Sequence, residues 1–427
     1  MTRQKKLPEN RLGRLVRYAS LGARTGASLL FTKEEEAMEA AAERAAEVLG
    51  TMRGLAAKVG QMASYVDGFV PEPHRQAYET ALKSLRTAAP TSSPEKIRNV
   101  VEEDLKAPID KLFAEWETEP FASASIGQVH RARLENGLQV AVKVQHPGIA
   151  KAIESDFANA SVIKSMVATV APKNVDPKRV FEEVKERFTE ELDYPLEAQR
   201  QQFFINLHKG DPFIHIPNVV MDRVGPRVLT TELAHGKTLE QAAELSESER
   251  RQYAEVLWRF VFKGNLVGKL FNADPHPGNY LFGENGKITF LDFGCCQPML
   301  HAERAVELHL AALAGDETRF ERAAAAILQT RGGSFEKKAV AYTRQCFVPL
   351  FETPFNISRP YVTNLVGGIR ELKNEVFAKD KSFTQLPPGM VLMNRLQFGF
   401  YSVLARLDVE VDYARVELNF LKAAGMA

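Results

Sequence analysis

One stretch constrains the fold more than any other: "ADPHPGNYLFGENGKITFLDFG", residues 273–294. Two short apolar runs, "YLF" and "ITF", flank an Asn-Gly pair, the dipeptide that turns a tight hairpin because both positions tolerate positive φ. The loop in front carries Asp274 and Asn279, five positions apart, and the far end of the hairpin delivers Asp292 of "DFG". Asn279 and Asp292 can then share a divalent cation held between phosphates. Mg²⁺ suits such a pair, because it takes few carboxylates and completes its shell with phosphate and water oxygens. Asp274 is left to orient an acceptor hydroxyl or a water. His276 lies inside the loop and is read as shaping it rather than as a base.

Two upstream features supply what a phosphate site still lacks. In "FASASIGQVH" (121–130), Ala122, Ala124, Gly127 and Val129 occupy the positions of a G-x-G-x-x-G-x-V phosphate loop, with Ser123 and Ser125 between them. Only one of the three glycines is present, and alanine narrows the backbone that glycine would leave open. The expected loop is therefore a stiff one. "IGQVHRARL" and "LQVAVKVQH" alternate in polarity around "ENG", which predicts a hairpin whose second strand carries Ala141 and Lys143 of "VAVK". A lysine there can neutralise the α- and β-phosphates of a nucleotide. Its ammonium needs a carboxylate partner. "EELDYPLEAQRQ" offers Glu190, Glu191, Asp193 and Glu197, and Glu197, one turn into the helix that Pro195 restarts, is the natural one.

The rest of the chain divides by period. Residues 34–66 read as a helix with Leu49, Met52, Leu55, Val59, Met62 and Val66 at three- and four-residue steps, and proline-bounded helices fill 71–112. Gly60 interrupts the first at a cost of ~1 kcal/mol against alanine. Residues 180–192 read as a helix, "HIPNVVMDRVGPRVLTTEL" as two short strands around a Val-Gly-Pro turn, and most of the chain after Gly236 as helix with a Pro-Pro-Gly break at 387–389. The expected organisation is a basic and helical extension over 1–115, a strand-rich lobe over 116–233 and a helical lobe over 234–427.

Net charge and cysteine usage exclude several functions. A net charge of +1 gives no steering toward nucleic acid, and Cys295, Cys296 and Cys346 form neither a metal-ligand spacing nor a disulfide framework. A reducing compartment follows, and the two adjacent cysteines read as small buried hydrophobes. No run of ~18 apolar residues predicts a transmembrane helix. Residues 1–33 hold eight basic side chains against Glu9, so any membrane contact is expected to be peripheral, on an anionic surface at the cytoplasmic face.

Taken together, "KVGQ" (58–61), "ASASIGQVH" (122–130), "VAVKVQHPG" (140–148), "EELDYPLEA" (190–198), "LTTELAHGKTL" (229–239), "DPHPGN" (274–279) and "LDFG" (291–294) resemble the UbiB family of atypical kinase-like proteins, which includes the ADCK and AarF members. The likeness runs over roughly residues 50–300. It implies an α+β, bilobal protein-kinase-like fold with a helical N-terminal extension packed over the active site. It implies that Lys58 and Gln61 lie on that capping helix, that Lys58 contacts Glu191 and Asp193, and that Gly60 permits the approach. The nucleotide would sit between the lobes, its base against Ala141 and the hinge at Glu232 and Leu233. ATP with Mg²⁺ is the implied ligand. ATPase or small-molecule phosphotransfer in support of ubiquinone (isoprenoid-quinone) biosynthesis is the implied function, with an isoprenoid or quinone-precursor lipid as partner and a homodimer as a candidate assembly. The alternative is a nucleotide-gated lipid-binding scaffold with little catalysis. An aminoglycoside-type small-molecule kinase fits less well, because of the "KVGQ" helix and the alanine loop.

Overall fold

Strict alternation builds the first sheet. The computed structural model of the chain describes residues 92–123, 126–158, 185–186, 189–299, 301–377 and 390–427. Strands β3 (Gly127–Arg133) and β4 (Gln139–Gln145) pair antiparallel with Val129 opposite Lys143 and Arg133 opposite Gln139. Gly137 turns between them at φ +83°, a conformation that favours glycine. β6 (Val228–Glu232) adds to the other edge of β4, while β1 (Glu115–Trp116) and β2 (Ala122–Ser123) both pair with β3, making five antiparallel strands.

The pleat sends Val140, Val142 and Val144 to one face and Ala141 and Lys143 to the other. The valine face is dry. It packs on Ile97, Val100 and Val101 of α1 (Pro94–Leu105) and on Ile109 and Leu112 of α2 (Ile109–Leu112). Each fully buried valine stabilises the fold by roughly 1.5–3 kcal/mol. Gln128 and His130 are also buried on this face, stitched by Ser92 N–H to Gln128 Oε1 (2.8 Å) and by His130 Nδ1 to the Glu117 carbonyl (2.9 Å). Asp104 of α1 receives both the main-chain N–H and the guanidinium of Arg227 at the start of β6. The core of the smaller lobe therefore draws on residues from both sides of the expected boundary at 115/116.

A connecting helix α3 (Ile149–Ala158) is followed by α4 (Tyr194–Leu207), which starts as its sequence predicts. Asp193 caps it by accepting from Leu196 N–H at 2.9 Å, and Pro195 occupies the first turn, where no N–H is needed. The stretch read as two strands around Val-Gly-Pro behaves differently. Only β6 is a full strand. Its partner is reduced to single bridges at Val219 and Gly225, with a 3₁₀ turn at Met221–Arg223 between them. β5 (Ile214–His215) leaves to pair parallel with β9 (Ile288–Phe290). Pro217 and Pro226 lack the N–H groups a continuous ladder requires.

The larger lobe is helical around α6 (Glu247–Leu266), preceded by the short α5 (Leu239–Ala243). Ser246 and Glu249 close a capping box at the start of α6, and Trp258, Phe260 and Leu257 are buried along it. The predicted Asn-Gly hairpin is present: β8 (Tyr280–Phe282) and β9 turn through Asn285 at φ 54° and Gly286 at φ 76°. β7 (Leu270–Asn272) and β10 (Cys296–Pro298) pair beside it. Helices α7 (Ala302–Leu313), α8 (Glu317–Leu328), α9 (Gly333–Cys346), α10 (Val348–Phe351), α11 (Arg359–Phe377), α12 (Met390–Leu407) and α13 (Tyr413–Ala423) complete the lobe, with β11 (Phe355–Asn356) and β12 (Glu410–Val411) paired between them. Strands of two or three residues carry too little alternation to be read from sequence. The helix expected over 34–66 and the break at 387–389 lie outside the described residues. Among the described residues no helix is long and apolar enough to cross a membrane.

His208, just past α4, stacks on Phe260 with ring centres 5.0 Å apart, and neither of its ring nitrogens has a hydrogen-bond partner among the described residues. Burial, helped by Lys263, pushes its imidazole from 6.5 down to about 3. Between those values the unfolded chain binds the extra proton and the folded one does not. Stability therefore falls as pH drops through this window, by ~1.4 kcal/mol per unit. His208→Phe removes the titrating group and keeps the ring stack. Its stability relative to the parent chain should improve by about 2 kcal/mol on going from pH 7.5 to pH 5, measured by urea unfolding at both.

Candidate functional site

Lys143 leaves β4 on the face opposite the valine core. Its Nζ donates to both oxygens of Glu197, at 2.9 and 3.0 Å. Asp292 Oδ2 stands 3.7 Å from the same nitrogen, and the Tyr194 ring lies beneath it at 5.1 Å. The Lys143 side chain is 19% exposed and that of Glu197 4%. Burial opposes the lysine's charge, but Asp292 and then Glu197 outweigh it and hold the ammonium well above the ordinary value. Burial pushes Glu197 up, which Lys143 offsets in part and Asp292 reinforces. One ammonium thus serves two carboxylates. The cluster carries excess negative charge, a place that favours a further cation.

The loop from β7 to β8 is laced to the segment after β9. Asn279, in the 3₁₀ turn Pro277–Asn279, donates its amide to the Asp274 carbonyl at 3.2 Å. Its own carbonyl accepts from Leu291 N–H at 2.8 Å, one residue before Asp292. Asn272 ties both ends: its oxygen accepts from Asp274 N–H (3.0 Å) and its amide donates to the Asp292 carbonyl (2.8 Å). Sequence reasoning passed over Asn272, although an Asn two residues before an Asp is a signal for this kind of turn. His276 shapes the loop as expected, its Nδ1 accepting from Gly278 N–H at 2.8 Å.

Asp292 sits at φ 61°, which non-glycine residues adopt only when held. Gly294 N–H donates to its Oδ1 at 3.1 Å. Gly294 itself has no room for a side chain without crowding: a Cβ there would come to 3.3 Å from Asp292 Oδ1 and 3.4 Å from Glu197 Oε2. Phe293 is fully buried against Phe204 of α4, ring centres 5.1 Å apart. Cys295 and Cys296 are buried, and burial raises the Cys296 thiol well above its usual range, which suits packing rather than redox chemistry.

The alanine loop leaves from a short strand pair. Ala122 pairs with Val129 and Ser123 with Gln128. Ala124 and Ser125 lie outside the described residues. Gly127 is required by its neighbours: a Cβ there would meet the Val144 carbonyl oxygen at 2.4 Å and the Tyr194 hydroxyl at 3.0 Å. Val129, Lys143 and Leu229 share one row of the cleft-side face, and Ala141 and Thr231 the next. Leu229 and Thr231 were not foreseen, because register is needed to place them. Glu232 falls on the opposite face. Its carboxylate meets Asn218 Nδ2 at 3.2 Å and His215 Nε2 at 3.7 Å, and Leu233 N–H donates to the Gln139 carbonyl. At the hinge, then, the Glu232 side chain points away from the cleft. Asp193 caps α4, and Glu191 is half-buried beside it. Their expected partner Lys58, with Gly60 and Gln61 of the same expected helix, lies outside the described residues.

Among the described residues no three His, Cys, Asp or Glu side chains form a metal cluster. Asp292 and Asn279, one hard carboxylate and one amide oxygen, are the residues that could hold a cation. That set suits Mg²⁺ bound largely through phosphate and water oxygens.

A family model, the ABC1 atypical kinase-like domain, matches residues 84–324. The atypical kinase COQ8B of Rattus norvegicus mitochondria is 31% identical over 378 residues, covering 84% of this chain and 70% of that protein. COQ8B of Danio rerio is 30% identical over 335 residues, 74% of this chain, and the chain spans 53% of its length. Among solved structures, Rv3197 of Mycobacterium tuberculosis, in complex with erythromycin, superposes with a TM-score of 0.62 at 25% identity, over 90% of this chain and 96% of that one. The two lobes of this chain, an antiparallel sheet and a helical body, are the α+β bilobal kinase-like fold. Fold, motifs and relatives agree that the chain belongs to the UbiB family of ABC1-type atypical kinase-like proteins.

Proposed function

We propose that the chain binds Mg·ATP between its lobes and turns it over as an ATPase or small-molecule phosphotransferase, in support of isoprenoid-quinone biosynthesis. The observation that carries this reading is the Lys143–Glu197–Asp292 cluster, closed against the Asp274–Asn279 loop. Lys143 neutralises the α- and β-phosphates, fixed in place by Glu197. Asn279 and Asp292 hold the metal, whose charge offsets that developing on the transferred phosphoryl group. Asp274 orients the acceptor hydroxyl or water. The base lies along Val129, Ala141 and the main chain at Glu232–Leu233, with the phosphates at the loop of Ala122, Ser123, Ala124, Ser125 and Gly127. Lys58, Gln61, Glu191 and Asp193 regulate access. The proposed boundaries are 1–115, 116–233 and 234–427, with the helices over 94–112 packed on the sheet of the second.

A protein substrate fits less well. After Asp292 the chain pairs at once with β7 through β10 and enters α7, and no Ser or Thr occurs before Thr318. That leaves no ordinary activation loop and little platform for a peptide. A quinone-precursor lipid, met at an anionic membrane surface by a peripherally bound chain, is the acceptor or effector that this reading favours. The second reading, a nucleotide-gated lipid-binding scaffold, draws on alanine at 122 and 124, which narrows the backbone a phosphate loop can adopt.

ATP turnover measured with and without anionic liposomes and a quinone-precursor-like phenol separates the two. The enzyme reading expects turnover that rises with both additions. Binding without turnover under every condition supports the scaffold, and absence of nucleotide binding overturns both.

A further inference from the structure

We infer that Arg200 is a positioning residue that clips the Asp292 segment to α4, setting the metal carboxylate and the lysine's partner as one unit. The inference rests on the Mg·ATP reading above and adds a regulatory connection to it. Arg200 lies three residues beyond Glu197, and Phe204 four beyond that, so the three form a single stripe along α4. Each member reaches the segment 292–294, directly or through Lys143. Glu197 holds Lys143, which faces Asp292. Arg200 donates one terminal nitrogen to the Gly294 carbonyl at 2.9 Å. Phe204 packs on Phe293.

The middle contact is the informative one. Gly294, whose carbonyl Arg200 grips, is also the residue whose N–H orients the Asp292 carboxylate. The second arm of Arg200 reaches Glu190 Oε2 at 2.9 Å. The two side chains are only 12% and 22% exposed, so this is not a solvated surface pair of negligible weight. Glu190 belongs to the 190–193 stretch that also holds Glu191 and Asp193. Displacement of that stretch would pull on Arg200 and, through Gly294, turn Asp292. A planar guanidinium can serve two partners in different directions at once, which a lysine ammonium on a flexible stem does less well. Phe204 and Phe293 belong to the helical core, whereas the two polar contacts of Arg200 lie outside its apolar cluster.

The test uses the full chain with Arg200→Gln, Arg200→Lys and Glu190→Gln. In nucleotide-free protein, hydrogen exchange of peptides spanning 291–296 should speed up about tenfold in Arg200→Gln, the change expected for one charge-assisted hydrogen bond, and less in the other two. In nucleotide binding, the Mg²⁺ concentration for half-saturation should rise by a similar factor in Arg200→Gln, with Arg200→Lys intermediate. Arg200→Gln with unchanged exchange and unchanged Mg²⁺ dependence overturns the clip. If that variant does not fold, unchanged exchange in both Arg200→Lys and Glu190→Gln overturns it instead. Faster exchange in a chain that binds no nucleotide keeps the clip and removes the Mg·ATP reading.

Discussion

Asp292→Asn is expected to lower Mg²⁺-dependent ATP turnover by about a thousandfold while leaving the fold intact. The substitution keeps the volume of the side chain and one oxygen for Gly294 N–H, which Asp292 Oδ1 accepts at 3.1 Å. What it removes is the charge that the Mg·ATP reading assigns to the metal. Asp292 is the more open of the two carboxylates around Lys143, with a side chain 36% exposed, so its loss should move stability little. Lys143 keeps Glu197. The measurement is phosphate release across a Mg²⁺ titration, beside a thermal melt. A folded variant that retains a tenth of the parent rate would remove Asp292 from the metal site.

Lys143→Met is expected to cost about 3–5 kcal/mol of stability in addition to activity, because it strands a buried carboxylate. Glu197 is 3% exposed, and its cation is Lys143. Replacing both partners in Lys143→Met/Glu197→Leu should restore stability to within about 1 kcal/mol of the parent, since two apolar groups leave no charge unpaired. Turnover should be absent in both. The single variant also has a predicted pH dependence. Burial already raises Glu197 above its ordinary value, and removing Lys143 raises it further. A carboxyl raised in the folded state takes its proton there before the unfolded chain does. The penalty is therefore full well above neutral pH and shrinks as pH falls toward the ordinary 4.5. Urea unfolding of the three proteins at pH 8 and pH 5 measures both effects. A Lys143→Met chain as stable as the parent at pH 8 would show that Glu197 is not held by the lysine.

These residues differ in how far the sequence exposed them. The Asn285–Gly286 hairpin and the Gly137 turn were legible because their chemistry is local: positive φ at those positions needs those residues. Glu197 could be chosen from four nearby acids because Pro195 marks where the helix begins, and the side chain one turn in meets Lys143. Asp274, Asn279 and Asp292 followed from a hairpin that returns one end to the other. What stayed hidden depends on register and long-range packing. Glu232 turned out to face His215 and Asn218 because β6 pairs Glu232 with Val140, on the valine side of the sheet. Arg200 looked like one more polar residue on a helix until the Gly294 carbonyl was seen against it. Gly127 looked like a phosphate-loop glycine, yet the Val144 carbonyl and the Tyr194 hydroxyl explain it without a ligand.

The central claim is that Lys143, Glu197 and Asp292 form a Mg·ATP site. Equilibrium titration of ATP, with Mg²⁺ and with chelator, into the parent chain and the Lys143→Met/Glu197→Leu double variant tests it most directly. Saturable, Mg²⁺-dependent binding of one ATP per parent chain, lost in the folded double variant, is the predicted result. Binding of equal strength in both proteins, or none in the parent chain, would contradict it.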